Sequence, residues 1–220
     1  MRNTILVVAE SLIAFIVLVI ISKKYKTDGI YVFGIIATFL ACIIGLKKIS
    51  IMEISVPIGF GITTSLLIGG NILTQRKGPD ALKTYLILIL ITFLVSCSFI
   101  NLSVFLKESP YNYYANMSYN NIFTLNIKYY LGLLISLIIA IFISSKLYYL
   151  LKKTQNKIIL SNLFAIIIVE FIENILFVVI TYYNEYSVVD IALCIVFRYT
   201  IKTIIGIIGT IPLYIVSKFN

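Results

Sequence analysis

Histidine and tryptophan are absent from the 220-residue sequence, and nine acidic residues stand against eighteen Lys and Arg. The missing histidine excludes imidazole metal ligands and any catalytic arrangement built on a histidine base. The three cysteines, Cys42, Cys97 and Cys194, fall singly in separate apolar runs. They offer no CxxC pair for zinc or redox chemistry and read as small buried residues. No GxxxxGK phosphate cradle, HExxH helix or Ser/His pair occurs. The expectation is a chain that is not an enzyme, with no catalytic residue, cofactor or metal.

Charge is the other scarcity. Charged residues make up 12% of the chain and hydrophobic residues 60%, and the mean hydropathy is +1.05. A soluble domain carries about 25% charged residues, so the composition describes an all-α, polytopic helical membrane protein whose partner is the lipid bilayer. The net charge of +9 does not point to nucleic acid, because the lysines sit in short clusters between apolar runs, the pattern that orients membrane proteins. The Ile, Lys, Asn and Tyr richness suits a bacterial chain, and hence the cytoplasmic (inner) membrane.

About 20 apolar residues cross a bilayer as a helix. On that rule spans are expected near 4–22, 29–46, 51–74, 81–106, 127–151, 158–182 and 188–216, and all of residues 1–220 form one membrane domain. The first, which lacks a small-residue cleavage site, reads as a retained span rather than a signal peptide. If all seven cross, the Lys-rich loops SKKYKTDG (22–29), TQRKGPDALK (74–83) and KLYYLLKKTQNK (146–157) share the inner side, leaving the N-terminus outside. Lys47 and Lys48 violate that scheme, and a rival with six spans makes 51–74 re-entrant. The polar stretch 107–126 is expected to be an outer loop. Segment 51–74 carries Pro57, Gly59, Gly61, Gly69 and Gly70 and is expected to be a helix broken near 57–71, a feature that membrane proteins tolerate where freed backbone lines a cavity. Close helix packing through small residues is the alternative.

The ionisable groups read as intramembrane are few: Glu10, Glu53, Glu170, Glu173, Arg198 and Lys202, with Glu53 near a span end. Glu170 and Glu173 are i,i+3 and share a helix face, which Asn174 extends; Arg198 and Lys202 are i,i+4 on the next span. The turn between these spans centres near Glu185. Glu173 precedes it by 12 residues and Arg198 follows it by 13, while Glu170 precedes by 15 and Lys202 follows by 17. An antiparallel pair rising 1.5 Å per residue therefore sets Glu173 level with Arg198 and Glu170 close to Lys202. Four unpaired charges would cost on the order of 10–14 kcal/mol on insertion scales, so pairing together with a wet cavity is expected. Salt bridges that only fix register are the plain alternative. Intramembrane charge otherwise marks a substrate path or proton relay.

Several segments then resemble the queuosine-precursor transporters of the vitamin-uptake transporter family. GGNILTQRKGPDALK (69–83), LNIKYYLGLLISLIIAIFISSKLYYLLKK (125–153), VEFIENILF (169–177) and YTIKTIIGIIGTIPLYIVSK (199–218) are similar to that family's segments in the same order. The resemblance implies uptake of a deazaguanine-type base, a precursor for tRNA modification, across the cytoplasmic membrane without an ATPase. It matches Asn71 to the family's Asn, Glu173 to its buried acid, Lys202 to its final-span Lys, and Thr210, Pro212 and Tyr214 to its closing motif. It also exposes departures: Gln75 stands where an acid is usual, Tyr148 where Asp is frequent, and Glu170 replaces an amide. The expected substrate-binding residues are Glu170, Glu173, Asn174, Arg198, Lys202 and Asn71, the last on an opposite wall beside a Gly69-Gly70 break. Two other readings stay open: a substrate-capture subunit of an ATP-driven vitamin importer, and a non-transporting scaffold or sensor. A homo-oligomer is compatible with each.

Overall fold

Apolar runs of this length have one way to satisfy their backbone groups in lipid, which is to coil into helices. The computed structural model describes residues 2–51, 54–106, 113–123 and 127–218, and in them the chain forms α1 (Arg2–Ile44), β1 (Lys48–Ile51), β2 (Ile54–Pro57), α2 (Phe60–Lys77), α3 (Ala81–Val104), α4 (Tyr113–Phe123), α5 (Ile127–Gln155), α6 (Ile158–Tyr182) and α7 (Val188–Ser217). Five of these helices, α1, α3, α5, α6 and α7, are long and apolar enough to cross a membrane. The protein is a multi-pass, all-α membrane protein.

Helix α1 is a hairpin rather than a rod. Lys26 has φ 51° and ψ −125°, and the chain folds back there so tightly that a Cβ at Gly29 would overlap the Ile21 carbonyl. In a straight helix those residues would lie about 12 Å apart. The two halves correspond to the expected first and second spans. With α2, the chain passes along the bundle seven times.

Segment 51–74 is the main correction. Its interruption sits at the start: Lys48–Ile51 and Ile54–Pro57 pair as two antiparallel strands, with Lys48 opposite Pro57 and Ile49 opposite Val56. The β-branched residues Ile49 and Val56 favour strand, Pro57 is the last residue of β2, and Gly59 takes the left-handed conformation, φ 96°, that turns the chain into α2. From Phe60 to Lys77 the helix is continuous. No break occurs at Gly69-Gly70. Those glycines admit neighbours instead: a Cβ at Gly69 would lie 2.8 Å from Tyr85 Oη, and one at Gly70 2.9 Å from Ser145 Oγ. Almost all of α2 is buried, which is why this least apolar of the passes needs no lipid-facing surface. The expected outer loop 107–126 contains α4. Glu53 lies outside the described residues.

The ends sort as the lysines predict. Arg76 donates to the Ser22 carbonyl at 3.1 Å, Tyr31 to the Ala81 carbonyl at 3.4 Å, and Tyr148 to Gln75 at 2.6 Å, which gathers the three Lys-rich loops at one end. At the other end Lys128 donates to the Tyr183 carbonyl at 3.3 Å. Lys48, which broke the charge rule, lies there 5.0 Å over the ring of Tyr182, itself stacked on Tyr186. An aromatic platform thus holds the out-of-place cation.

Candidate functional site

Helices α2, α5, α6 and α7 meet along faces that carry polar residues at helical spacing. On α6, Asn162, Glu170, Glu173 and Asn174 share the buried face with Ala165 and Phe177. Arg198, Lys202, Gly206 and Thr210 do the same on α7. Glu170, Asn174 and Lys202 are 0% exposed, Glu173 1% and Arg198 5%.

The charges are in direct contact. Lys202 Nζ lies 2.7 Å from Glu173 Oε2 and 2.8 Å from Glu170 Oε2. The first contact is an aligned hydrogen bond, while the second is an ion contact without that alignment. Thr64 on α2 donates to Glu170 Oε1 at 2.8 Å, and Ser136 on α5 approaches Glu173 Oε1 at 3.5 Å. The Arg198 guanidinium stands 3.8 Å from Glu173 and its Nε donates to Asn174 Oδ1 at 3.0 Å. Asn174 in turn donates to the Glu170 carbonyl at 2.6 Å. Two acids and two bases sum to zero, the arrangement that makes such a cluster tolerable away from water.

Depth counting placed Glu173 with Arg198 and Glu170 with Lys202. Both pairs exist, and Lys202 additionally bridges the two acids. Arg198 lies against aromatic faces: its guanidinium carbon is 4.0 Å from the Phe177 ring centre and 5.4 Å from that of Phe60. A narrow pocket lined by Pro57, Gly59, Phe60, Tyr129, Phe177 and Arg198 opens beside it, with room for about one water. The glutamates and Lys202 are not among its walls.

Asn71 does not join the charges. Its amide donates to Ser144 at 3.1 Å and to Asn162 at 2.8 Å, and Ser145 donates to its carbonyl oxygen at 3.2 Å. Asn162 continues to Thr210 at 2.9 Å. This neutral station lies seven residues along α2 from Thr64, about 10 Å toward the Lys-rich end. Further along the same face, Gln75 accepts from Tyr148. The two positions where the sequence resemblance expects acids are thus partners here, as a neutral pair. Asn162 was readable in advance, since it precedes Glu170 by two turns on one face. Ser136, Phe60 and Phe177 carried no signal, because a serine or phenylalanine in an apolar span is unremarkable until its neighbour is known.

The model of the family described as "Putative vitamin uptake transporter" matches residues 57–216. No curated protein and no solved structure matches the chain. The chain belongs to the vitamin uptake transporter family.

Proposed function

We propose that this family member is a secondary importer of a planar, hydrogen-bond-rich base of the deazaguanine type, working as one membrane domain in the cytoplasmic membrane of a bacterium. The observation that carries the reading is Lys202 lodged between Glu170 and Glu173 at the centre of the bundle. A carboxylate is the natural acceptor for paired amino and ring N–H donors on such a base. In the arrangement described, Lys202 and Arg198 occupy those acceptors and keep both acids neutralised. An arriving base would take over carboxylate contacts from Lys202 without adding charge to the site.

The aromatic surroundings favour a flat ligand. Arg198 is a planar cation near the rings of Phe60 and Phe177, and the space beside those rings suits a heterocycle once the guanidinium moves. Glu173 and Glu170 would accept from the base, Asn174 would position Arg198, and Lys202 would donate to the base carbonyl. Asn71, with Ser144 and Asn162, would serve as the next polar station toward the Lys-rich, cytoplasmic end.

The test is rescue of tRNA queuosine in a bacterium lacking both its own synthesis and its transporter, supplied with limiting precursor. Rescue by the wild-type chain, lost in Glu173→Gln with insertion intact, is the expected result. No rescue by a well-expressed wild-type chain overturns the substrate assignment. A scaffold role has one observation in its favour: every charge in the cluster is already matched within the protein. On that reading Glu173→Gln would insert and work normally.

A further inference from the structure

We infer that Glu10, on the first half of α1, is a proton-binding site that couples import to a proton gradient, an inference that rests on the transport reading above. Apart from Asp28 beside the α1 turn and Asp190 in the first turn of α7, Glu10 is the one described acid on the passes that takes no part in the charge cluster. Its Oε1 is buried without a hydrogen-bond partner, and no ion pair is formed by it among the described residues. It lines a half-open groove of about 240 Å³ between the two halves of α1 and α2, with the exposed Ile13, Ile36 and Leu40 at its rim. The walls are apolar: Ala14 and Val17 from its own half, Phe33 and Ala37 from the other, and Ile62 with Ser65 from α2. Apart from Glu10 these walls hold no charged or titratable group. The α7 face packed on this half of α1 presents Gly209 against Phe15.

The occupant follows from the oxygen count. A metal cation needs six or more oxygen ligands to replace its water shell. The groove offers the Glu10 carboxylate and the Ser65 hydroxyl, which is already donating to the Ile62 carbonyl at 2.7 Å. A proton needs one carboxylate. An ionised carboxylate facing an apolar groove neutralises readily, because burial without a partner disfavours its charge. Glu170 and Glu173 differ in that Lys202 lies against both and Arg198 against Glu173. The acid without a charged partner is therefore Glu10.

Glu10 also sits where a change of charge reaches the site. Its neighbour Ser11 packs on α2 so closely that a Cβ at Gly61 would overlap it. One turn on, Thr64 donates to Glu170 while the adjacent Ser65 lines the Glu10 groove. Residue 10 lies about 12 Å along the helix from its outer end. A proton from the outer water converts the carboxylate to the neutral acid, which settles in the groove. Its release toward the inner side restores the carboxylate.

The full chain in proteoliposomes decides this. Infrared difference spectra across a pH step should contain a protonated-carboxyl C=O band that Glu10→Gln abolishes and Glu10→Asp shifts. A spectrum unchanged by both substitutions overturns the proton site. With a labelled 7-deazaguanine base as probe, an inward gradient of one pH unit at zero membrane potential should support accumulation up to about tenfold for one proton per base. Glu10→Gln should equilibrate the probe without accumulating it, and accumulation by that variant overturns the coupling. A wild-type chain that moves no probe overturns the substrate reading alone, since the infrared band judges the proton site without any substrate.

Discussion

Lys202 and Glu173 form a 2.7 Å hydrogen bond between two side chains that are 0% and 1% exposed. A second carboxylate, Glu170, lies 2.8 Å from the same nitrogen. Removing the lysine would leave two acids facing each other with only Arg198 nearby. Breaking a buried pair by deleting one partner costs about 3–5 kcal/mol. Lys202→Met, close in length, should therefore lower the thermal unfolding midpoint in detergent by more than about 6 °C. A midpoint at the wild-type value would mean that the cluster is hydrated and worth little.

The two glutamates should not be equivalent. Glu173 holds the aligned lysine contact and the approaches of Arg198 and Ser136, whereas Glu170 has Thr64 and the unaligned lysine contact. Glutamine at 170 keeps an acceptor for Thr64 and leaves Glu173 fully partnered. Glu170→Gln is therefore expected to retain queuosine rescue within about threefold of wild type, against complete loss for Glu173→Gln, at matched membrane abundance. Equal loss in both variants would show that the substrate needs the pair as a unit.

Height along the bundle was legible in the sequence, and azimuth was not. Charge in lipid must find a partner, so residue counting from Glu185 located both basic partners for both acids. Counting could not say which way each flexible side chain leans, and so missed Lys202 reaching across to Glu173 and Arg198 lying near the rings of Phe60 and Phe177. The same limit explains α2. Pro57 and four glycines marked segment 51–74 as irregular, but composition does not separate a glycine that breaks a helix from one that receives a neighbour. Gly59 turns the chain; Gly69 and Gly70 receive Tyr85 and Ser145. The strand pair Lys48–Ile51 and Ile54–Pro57 was hidden inside what reads as an apolar run.

Asn71 offers a test of whether the neutral station and the charge cluster are one site. Asn71→Ala removes the partner of Ser144, Ser145 and Asn162 at once. Stranding buried polar groups costs about 1–3 kcal/mol each, so the thermal midpoint should fall. The apparent KM for base supplied from outside should stay near wild type while the maximal rate drops, because Asn71 lies about 10 Å beyond Thr64 along α2. A KM raised as far as in the Glu173 variants would place Asn71 in the same pocket.

Alanine at the α2 glycines separates a packed helix from a broken one. In an exposed helix, or at a mid-helix break, Gly→Ala stabilises by roughly 0.5–1 kcal/mol, because alanine loses less chain entropy. At Gly70 the new methyl would meet Ser145 Oγ at 2.9 Å and Ile141 Cγ2 at 3.1 Å, so those neighbours must move and the Ser145–Asn71 bond with them. At Gly61 it would overlap the backbone of Ser11, which no side-chain rotation relieves. Both substitutions should therefore destabilise, Gly61→Ala more than Gly70→Ala, with overpacking penalties of about 1–3 kcal/mol read as lowered unfolding midpoints. Gly78→Ala is the matched control for conformation without contact, since that glycine has φ 80° and nothing within 4 Å of the added methyl. If Gly61→Ala and Gly70→Ala instead raise the midpoint, α2 is not the close-packed centre of the bundle, and the contact of Thr64 with Glu170 loses its structural support.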